Sequence, residues 1–362
     1  MPHLHAKPRP HLAKPITDRR IRFALVGCGR ISENHVRSLL EVHHERAELV
    51  AVCDSDAAAL ERAASLTKAR PFTSLTDLLA ARIADVVVLA TPSGLHPGQA
   101  IECAKAGVHV MTEKPMATRW RDGVAMVQAC DDAGVFLFVV KQNRRNATLQ
   151  LLKQAVEDGR FGRIFLVTIN VLWSRPQSYY DSAAWRGTWE FDGGAFMNQA
   201  SHYVDLLDWL IGPVESVQAY TATLGRAIEV EDTGVAAIRW RSGAVGTMNV
   251  TMLTHRRNFE GSITIIGEKG TVRIGGLAVN EIQQWDFAEP LPADDTIKAA
   301  NYQTTSVYGF GHPLYYDNVI RTLRGEAEPE TDGREGLKSL EVLVAIYLSA
   351  RDGRRVPLPL DF

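Results

Sequence analysis

No apolar run in this 362-residue chain approaches the roughly 20 residues that a membrane-spanning helix needs, so no membrane association is expected. An excess of one charge is also lacking. Forty basic side chains stand against 42 acidic ones, for a formal charge of -2, which argues against general attraction to nucleic acid or an anionic surface. Cysteine is scarce, and Cys28, Cys53, Cys103 and Cys130 form no C-x-x-C pair, which fits reduced thiols in the cytoplasm. The first twenty residues carry four prolines and several basic side chains but no apolar h-region, so no secretory signal is expected there. His3, His5 and His11 have no fixed ligand geometry in such a segment. The expectation is a flexible Pro-rich tail over residues 1–20 and no metal site. Internal repeats are absent, as are low-complexity runs beyond this tail.

What is present is the composition of an ordinary soluble protein, 46% hydrophobic and 23% charged, at a length that favours two domains. Between residues 21 and 143, apolar strands alternate with amphipathic helices. The strands read 21–26, 48–53, 86–90, 108–112 and 136–140, with helical stretches near 33–43, 57–67, 96–106 and 119–133. That alternation predicts an α/β domain, a parallel sheet covered on both faces with right-handed crossovers. The pattern changes after Asn143. A helix at 148–158 leads into alternating strands at 164–173, 215–223, 234–241, 245–253, 262–266 and 271–274. This predicts a C-terminal α+β domain over 144–362. Its open, mainly antiparallel sheet of about six strands would leave one face for association. Helices near 312–324 and 334–351 close the chain.

Four constellations carry chemistry. Gly27-Cys28-Gly29-Arg30-Ile31-Ser32 follows a strand and opens a helix, the context of a dinucleotide-binding turn. Gly27 permits the tight turn, and Gly29 lets a pyrophosphate approach the backbone. Ser32 stands where a third glycine or alanine is usual, which would set the helix slightly further from the strand. Asp54 ends the second strand, where an acid can bond both ribose hydroxyls and repel a 2'-phosphate, favouring NAD over NADP. Thr91, Pro92 and Ser93 form a loop that can lie along the cofactor. His96 then either touches ribose or nicotinamide, or serves as a capping or packing histidine. Glu113-Lys114-Pro115 closes a further strand. Proline biases Lys114 towards an extended conformation, which aims an ammonium group off the strand end to stabilise a developing alkoxide. Glu113 is expected to orient the lysine or to contact the nicotinamide ribose, and Gln142 to touch the cofactor. Last, Asn198, His202 and Asp205 are spaced i, i+4, i+7 and so share one face of a helix beginning after Gly194. His202 is the natural proton acceptor for alcohol oxidation near neutral pH.

Together these residues resemble the Gfo/Idh/MocA oxidoreductases. The glycine turn, Glu113-Lys114-Pro115 and the helix bearing His202 fall in that family's order. The chain departs from the family pattern in having Asn198 where an aspartate is usual. An amide bonds sugar hydroxyls but cannot take a proton, which places the acid–base work on Lys114 and His202. Trp173 to Tyr180, Trp185 to Trp189, Met197-Asn198-Gln199 and Arg257 to Ser262 are similar to the UDP-N-acetylglucosaminuronate 3-dehydrogenases within the family. The resemblance implies an NAD-dependent enzyme that forms a homo-oligomer. Its implied substrate is a UDP-sugar uronate on the way to bacterial surface polysaccharide such as lipopolysaccharide O-antigen.

A nucleotide sugar uronate carries two phosphates and a carboxylate, which suit planar arginine forks. The candidates are Arg144, Arg145, Arg175, Arg186, Arg256 and Arg257, with Gln177 and Gln199 for the sugar. Trp173, Tyr179, Tyr180 and Trp189 are available to stack on uracil or sugar. Some members of the subgroup re-oxidise bound NADH with 2-oxoglutarate and others do not. The nearest enzymatic alternative is a dehydrogenase of a free sugar or inositol, which has little use for these arginines. A non-catalytic NAD sensor is the alternative of another class. The presence of both Lys114 and His202 speaks against it.

Overall fold

The computed structural model describes residues 14–304 and 309–361, so His3, His5 and His11 of the expected tail lie outside the described residues. Two compact units share the chain: residues up to Lys141 with His312–Leu340, and Gln142–Gly311 with Glu341–Phe362. The expected division into 21–143 and 144–362 is therefore corrected, because the chain returns to the first unit after Gly311. The reason is apolar. Helix α9 (Gly311–Leu323) puts Tyr315, Tyr316, Val319, Ile320 and Leu323 into one buried cluster with Phe23, Leu25, Val88 and Phe138. Each such side chain contributes about 1.5–3 kcal/mol by leaving water. The tail boundary is corrected too, since Ile16 packs on this cluster and its N–H donates to the Leu323 carbonyl at 2.8 Å.

The first unit holds six parallel strands: β1 (Ile21–Val26), β2 (Ala47–Cys53), β3 (Arg70–Phe72), β4 (Val86–Leu89), β5 (His109–Thr112) and β6 (Leu137–Val139). Their order is β3-β2-β1-β4-β5-β6. Strand β4 is Val-Val-Val-Leu, buried throughout, the continuous apolar run that a sheet covered on both faces requires. Helices α1 (Ser32–Arg37), α2 (Ala57–Thr67), α3 (Leu75–Ala80), α4 (His96–Lys105) and α5 (Trp120–Ala133) connect them. Asp56 and Ser74 cap α2 and α3 by accepting from the Ala59 and Asp77 amides. Strand β3 and helix α3 escape a pattern reading because the strand is three residues long and contains Pro71. After β3 the chain crosses to the other side of β1. That switch opens a crevice at the carboxyl ends of β1 and β4.

The second unit begins with α6 (Ala147–Glu157) and contains α7 (Gln177–Asp181), α8 (Ser201–Ile211) and the end of α10 (Gly333–Asp352). Its sheet has eight strands rather than about six: β7 (Ile164–Leu172), β8 (Val214–Ala222), β9 (Thr233–Trp240), β10 (Val245–Thr251), β11 (Glu260–Gly267), β12 (Gly270–Gly275), β13 (Glu281–Phe287) and β14 (Val356–Pro357). All pairings are antiparallel except β7 with β10. Alternation along β9 buries Ala236, Ile238 and Trp240 on one face, where the Trp240 indole donates to the Leu207 carbonyl of α8 at 3.1 Å. The opposite face exposes Tyr220, Val235 and Val245. A polar ladder also crosses that sheet: Asn249 donates to Asn170, Asn170 to Glu260, and Arg273 to Glu260 at 2.6 Å.

Candidate active site

In the first unit, the turn after β1 is shaped for a dinucleotide. Gly27 has φ +95, and a Cβ there would stand 2.6 Å from the Ala90 backbone, so only glycine fits. Gly29 faces open space, with nothing within 4 Å of where its Cβ would be. That leaves the backbone approachable by a phosphate at the start of α1. Ser32 is accommodated by closing the turn on itself, its hydroxyl donating to the Gly29 carbonyl at 2.5 Å. Asp54 follows β2 and is half-buried. Its Oδ2 accepts from the Cys28 amide at 2.7 Å and its Oδ1 from the Asp56 amide at 2.9 Å. The carboxylate is thus tied to the glycine turn, where a ribose can use its remaining lone pairs. Arg30 is exposed and Ile31 half-buried in the same turn. Thr91 donates to Gln99 at 2.6 Å, while Pro92 and Ser93 follow it into the short turn before α4.

His96 is buried, with Nδ1 3.1 Å from the Pro115 carbonyl and Nε2 2.9 Å from the Thr91 carbonyl. This is the packing alternative: the ring ties the loop after β4 to the segment that carries Lys114, and burial holds its pKa below the ordinary histidine value. Glu113 turns inward and is 5% exposed. Its Oε1 lies 3.2 Å from His35 Nε2 and 3.3 Å from His312 Nε2, and its Oε2 accepts from the Lys114 amide at 3.2 Å. Burial opposes its charge, yet hydrogen bonds from His312 and His35 hold it well below the usual carboxylate range. His35 Nδ1 pairs with the Tyr316 hydroxyl at 3.0 Å. Glu113 is thus tied to the backbone of Lys114. The ligand-type atoms of His35, Glu113 and His312 lie within 4.8 Å of one another.

Gln142 is the first residue of the second unit. Its amide oxygen and nitrogen are both buried and have no hydrogen-bond partner among the described residues. Such a pair costs about 1–3 kcal/mol per group unless something bonds it. An amide or hydroxyl of a bound cofactor has the matching chemistry.

In the second unit, the single helix face expected for Asn198, His202 and Asp205 is corrected. Ala195–Gln199 forms a wider, five-residue turn, Ala200 leaves helical geometry at φ -98 and ψ 4, and α8 starts only at Ser201. Asn198 therefore lies outside α8 and donates its amide to Asp192. His202 sits in the first turn of α8, 7% exposed. Asp205 faces inward and receives a forked bond from Arg144, 2.6 Å from Nε and 2.7 Å from a terminal nitrogen. Both partners are buried, so the fork is a fixed internal ion pair. Arg145 stands beside it in the turn before α6, half-buried.

Other expected residues do converge. Arg175 donates to Gln199 Oε1 at 2.9 Å and to Asn258 at 3.0 Å, its guanidinium carbon 5.2 Å from the Trp173 ring. The Tyr179 hydroxyl accepts from Gln199 at 3.1 Å and from Arg186 at 2.6 Å. Gln177 instead holds the loop before β9, accepting from the Ala227 amide at 2.9 Å. Trp173 and Tyr180 are buried, Trp173 against Tyr203 at 5.9 Å, while Trp189 is 49% exposed. Next to this network opens a cleft of about 640 Å³ lined by Arg175, Arg226, His255, Arg256, Arg257 and Asn258, with no carboxylate among its described lining residues. Arg226 was not anticipated. It is fixed by its Nε bond to the Arg175 carbonyl at 2.6 Å, a contact 51 positions away that no local pattern reveals.

A dinucleotide cradle, an anchored lysine and a helix-borne histidine define a pyridine-nucleotide oxidoreductase. Residues 21–141 match the oxidoreductase-family NAD-binding Rossmann fold and residues 153–358 match the C-terminal alpha/beta domain of the same family. The chain belongs to the Gfo/Idh/MocA oxidoreductase family. It is similar to the WlbA dehydrogenase of Bordetella pertussis, solved in complex with NADH and UDP-GlcNAcA. The two share 72% identity and a TM-score of 0.93, over 96% of this chain and 100% of that one. The WlbA dehydrogenase of Chromobacterium violaceum, solved with the same two molecules, is 71% identical at a TM-score of 0.93, over 97% and 99%. A D-apiose dehydrogenase of Paraburkholderia graminis is 29% identical over 366 residues, covering 96% of this chain and 92% of that protein.

Proposed function

We propose that this protein oxidises the 3-hydroxyl of UDP-N-acetylglucosaminuronate to the 3-keto sugar nucleotide, with NAD as acceptor, in bacterial synthesis of surface polysaccharide such as O-antigen. The observation that carries this reading is the cleft lined by Arg175, Arg226, Arg256 and Arg257 without a carboxylate, beside the Arg175–Gln199–Tyr179–Arg186 network. A dianionic diphosphate with a uronate needs such a surface, whereas a free sugar or inositol does not. Identity of 72% to a dehydrogenase solved with UDP-GlcNAcA supports the same substrate.

NAD supplies the hydride acceptor when bound. Gly27, Gly29 and Asp54 would hold it, and the orphaned amide of Gln142 fits one of its polar edges. The Lys114 ammonium hydrogen-bonds the 3-hydroxyl and stabilises the alkoxide as the C–H hydride departs. His202 takes the hydroxyl proton. Asn198, unable to accept a proton, orients the ring, and Arg175 and Arg186 bind the anionic arms.

The open face of the β8–β9–β10 sheet, bearing Tyr220, Val235 and Val245, suits a homo-oligomer, a dimer or tetramer. Four free thiols, and no described helix long and apolar enough to cross a membrane, fit work in the cytoplasm. Incubation with UDP-N-acetylglucosaminuronate and NAD, with and without 2-oxoglutarate, followed by mass spectrometry, tests the reading. A product two mass units lighter than the substrate is expected, and its absence overturns the assignment. Appearance of 2-hydroxyglutarate would add recycling of the cofactor.

A further inference from the structure

The first amides of a helical turn have no acceptor within the turn and must find one elsewhere. For Ala195–Gln199, two residues remote in sequence supply all three. The Ala195 amide donates to the Glu231 carbonyl at 3.0 Å, the Phe196 amide to Glu231 Oε1 at 2.9 Å, and the Met197 amide to the Tyr347 hydroxyl at 3.1 Å. Tyr347 in turn donates its O–H to the same Oε1 at 2.9 Å, so acid and phenol form one clamp. Glu231 is 3% exposed. Its Oε2 has no hydrogen-bond partner among the described residues and lies over Gly194, where any Cβ would overlap it. A glutamine would present the same Oε1 acceptor without a buried acid. Residues that break a stability rule in this way gather where function requires them.

We propose that Glu231 and Tyr347 are positioning residues of the reaction: they set the backbone of Ala195–Gln199 and thereby place the Asn198 and Gln199 side chains on the substrate. This rests on the reading of those two side chains as sugar-binding. Asn198 and Gln199 close the same turn whose first amides the clamp holds, and Gln199 bonds both Arg175 and Tyr179. A slip of the turn therefore moves several substrate groups together. The clamp also responds to pH. Burial, reinforced by adjacent Asp232, pushes the Glu231 carboxyl up to about 7. The titratable groups facing it are Tyr347, from α10, and Asp232, whose carboxylate is itself taken by the amides of Leu224, Gly225 and Arg226. Ionised Oε1 is the stronger acceptor, so the clamp tightens as pH rises through neutrality.

The test combines steady-state kinetics on UDP-N-acetylglucosaminuronate, NAD titration, thermal melting and amide hydrogen exchange across 194–200. Wild type is compared with Tyr347→Phe and Glu231→Gln. Tyr347→Phe removes the acceptor of the Met197 amide. It should raise KM about tenfold, the effect of one lost hydrogen bond, with kcat and NAD affinity within about twofold and faster exchange at 196–198. Wild-type KM should fall as pH rises through about 7, and Glu231→Gln should lack that inflection while exchanging like wild type. A Tyr347→Phe enzyme that melts earlier but keeps its KM makes the pair merely structural and overturns the proposal, as does a Glu231→Gln profile that superimposes on wild type. Should wild type not turn over this sugar, the functional reading fails. Exchange then decides the clamp alone: faster exchange in Tyr347→Phe upholds it, and unchanged exchange overturns it.

Discussion

Lys114 stands on a carboxylate that the fold has buried and bonded from two sides, so its backbone is held before any substrate arrives. Replacing Lys114 with alanine should lower kcat by about 10³-fold, the usual loss for a positioned acid–base and oxyanion group. NAD affinity by fluorescence titration should stay unchanged. Gln142→Leu should move two measurements in opposite directions. The apo protein gains about 1 kcal/mol by denaturant unfolding as two orphaned atoms disappear, while NAD affinity drops about tenfold. The glycine turn, Asp54 and Lys114 could be singled out because each rests on a neighbour or a strand end that periodicity locates. Residue chemistry left Glu113 two roles, and its partner His312 lies 199 positions away, beyond any local pattern. The Arg144 fork is equally silent in the sequence. Nothing local says that Asp205, 61 positions on, takes its fork.

At the scale of elements, the stretch after Gly194 shows the limit of helical arithmetic. Spacing of i, i+4, i+7 assumes 3.6 residues per turn throughout, and the five-residue turn at Ala195–Gln199 breaks that assumption one turn before His202. Gly194 is part of the cause, because Glu231 fills the space a Cβ would need. Gly194→Ala should therefore cost about 1–3 kcal/mol by thermal or denaturant unfolding, the range for overpacking a filled core, and should raise KM for the sugar more than it changes NAD affinity. Helix α9 gives the converse case. A helix was expected near 312–324 but its place was not, and its apolar side chains complete the core of the first unit.

For the molecule as a whole, two buried groups shape stability against pH with opposite signs. Burial lowers His109 to about 4 from 6.5, and its Nδ1 accepts from the Phe136 amide at 3.0 Å as a neutral ring. The unfolded chain binds that proton first, so stability falls as pH drops from about 6.5 to 4. Melting temperatures of His109→Asn should decline less steeply across that window. Glu231, raised to about 7 from 4.5, works the other way. The folded state holds its proton longer, so stability falls as pH rises from about 4.5 to 7. Glu231→Gln should gain on wild type in thermal melts at pH 8 and show little difference near pH 4. The open sheet face predicts that Val235→Lys lowers the mass measured by light scattering, since a charge there opposes burial of Tyr220 and Val245 against another copy.

Local pattern in the sequence was enough for the fold class and the NAD cofactor, and it placed a lysine after the fifth strand. All of these follow from short-range spacing, strand ends and residue chemistry. Long-range packing settled where the first unit recruits α9, how β7 comes to lie parallel to β10, and what holds Glu113 and the Ala195–Gln199 turn. Those outcomes depend on partners dozens to hundreds of positions apart. A buried polar group is governed by whichever partner the packing brings within about 3 Å, and no local pattern carries that information.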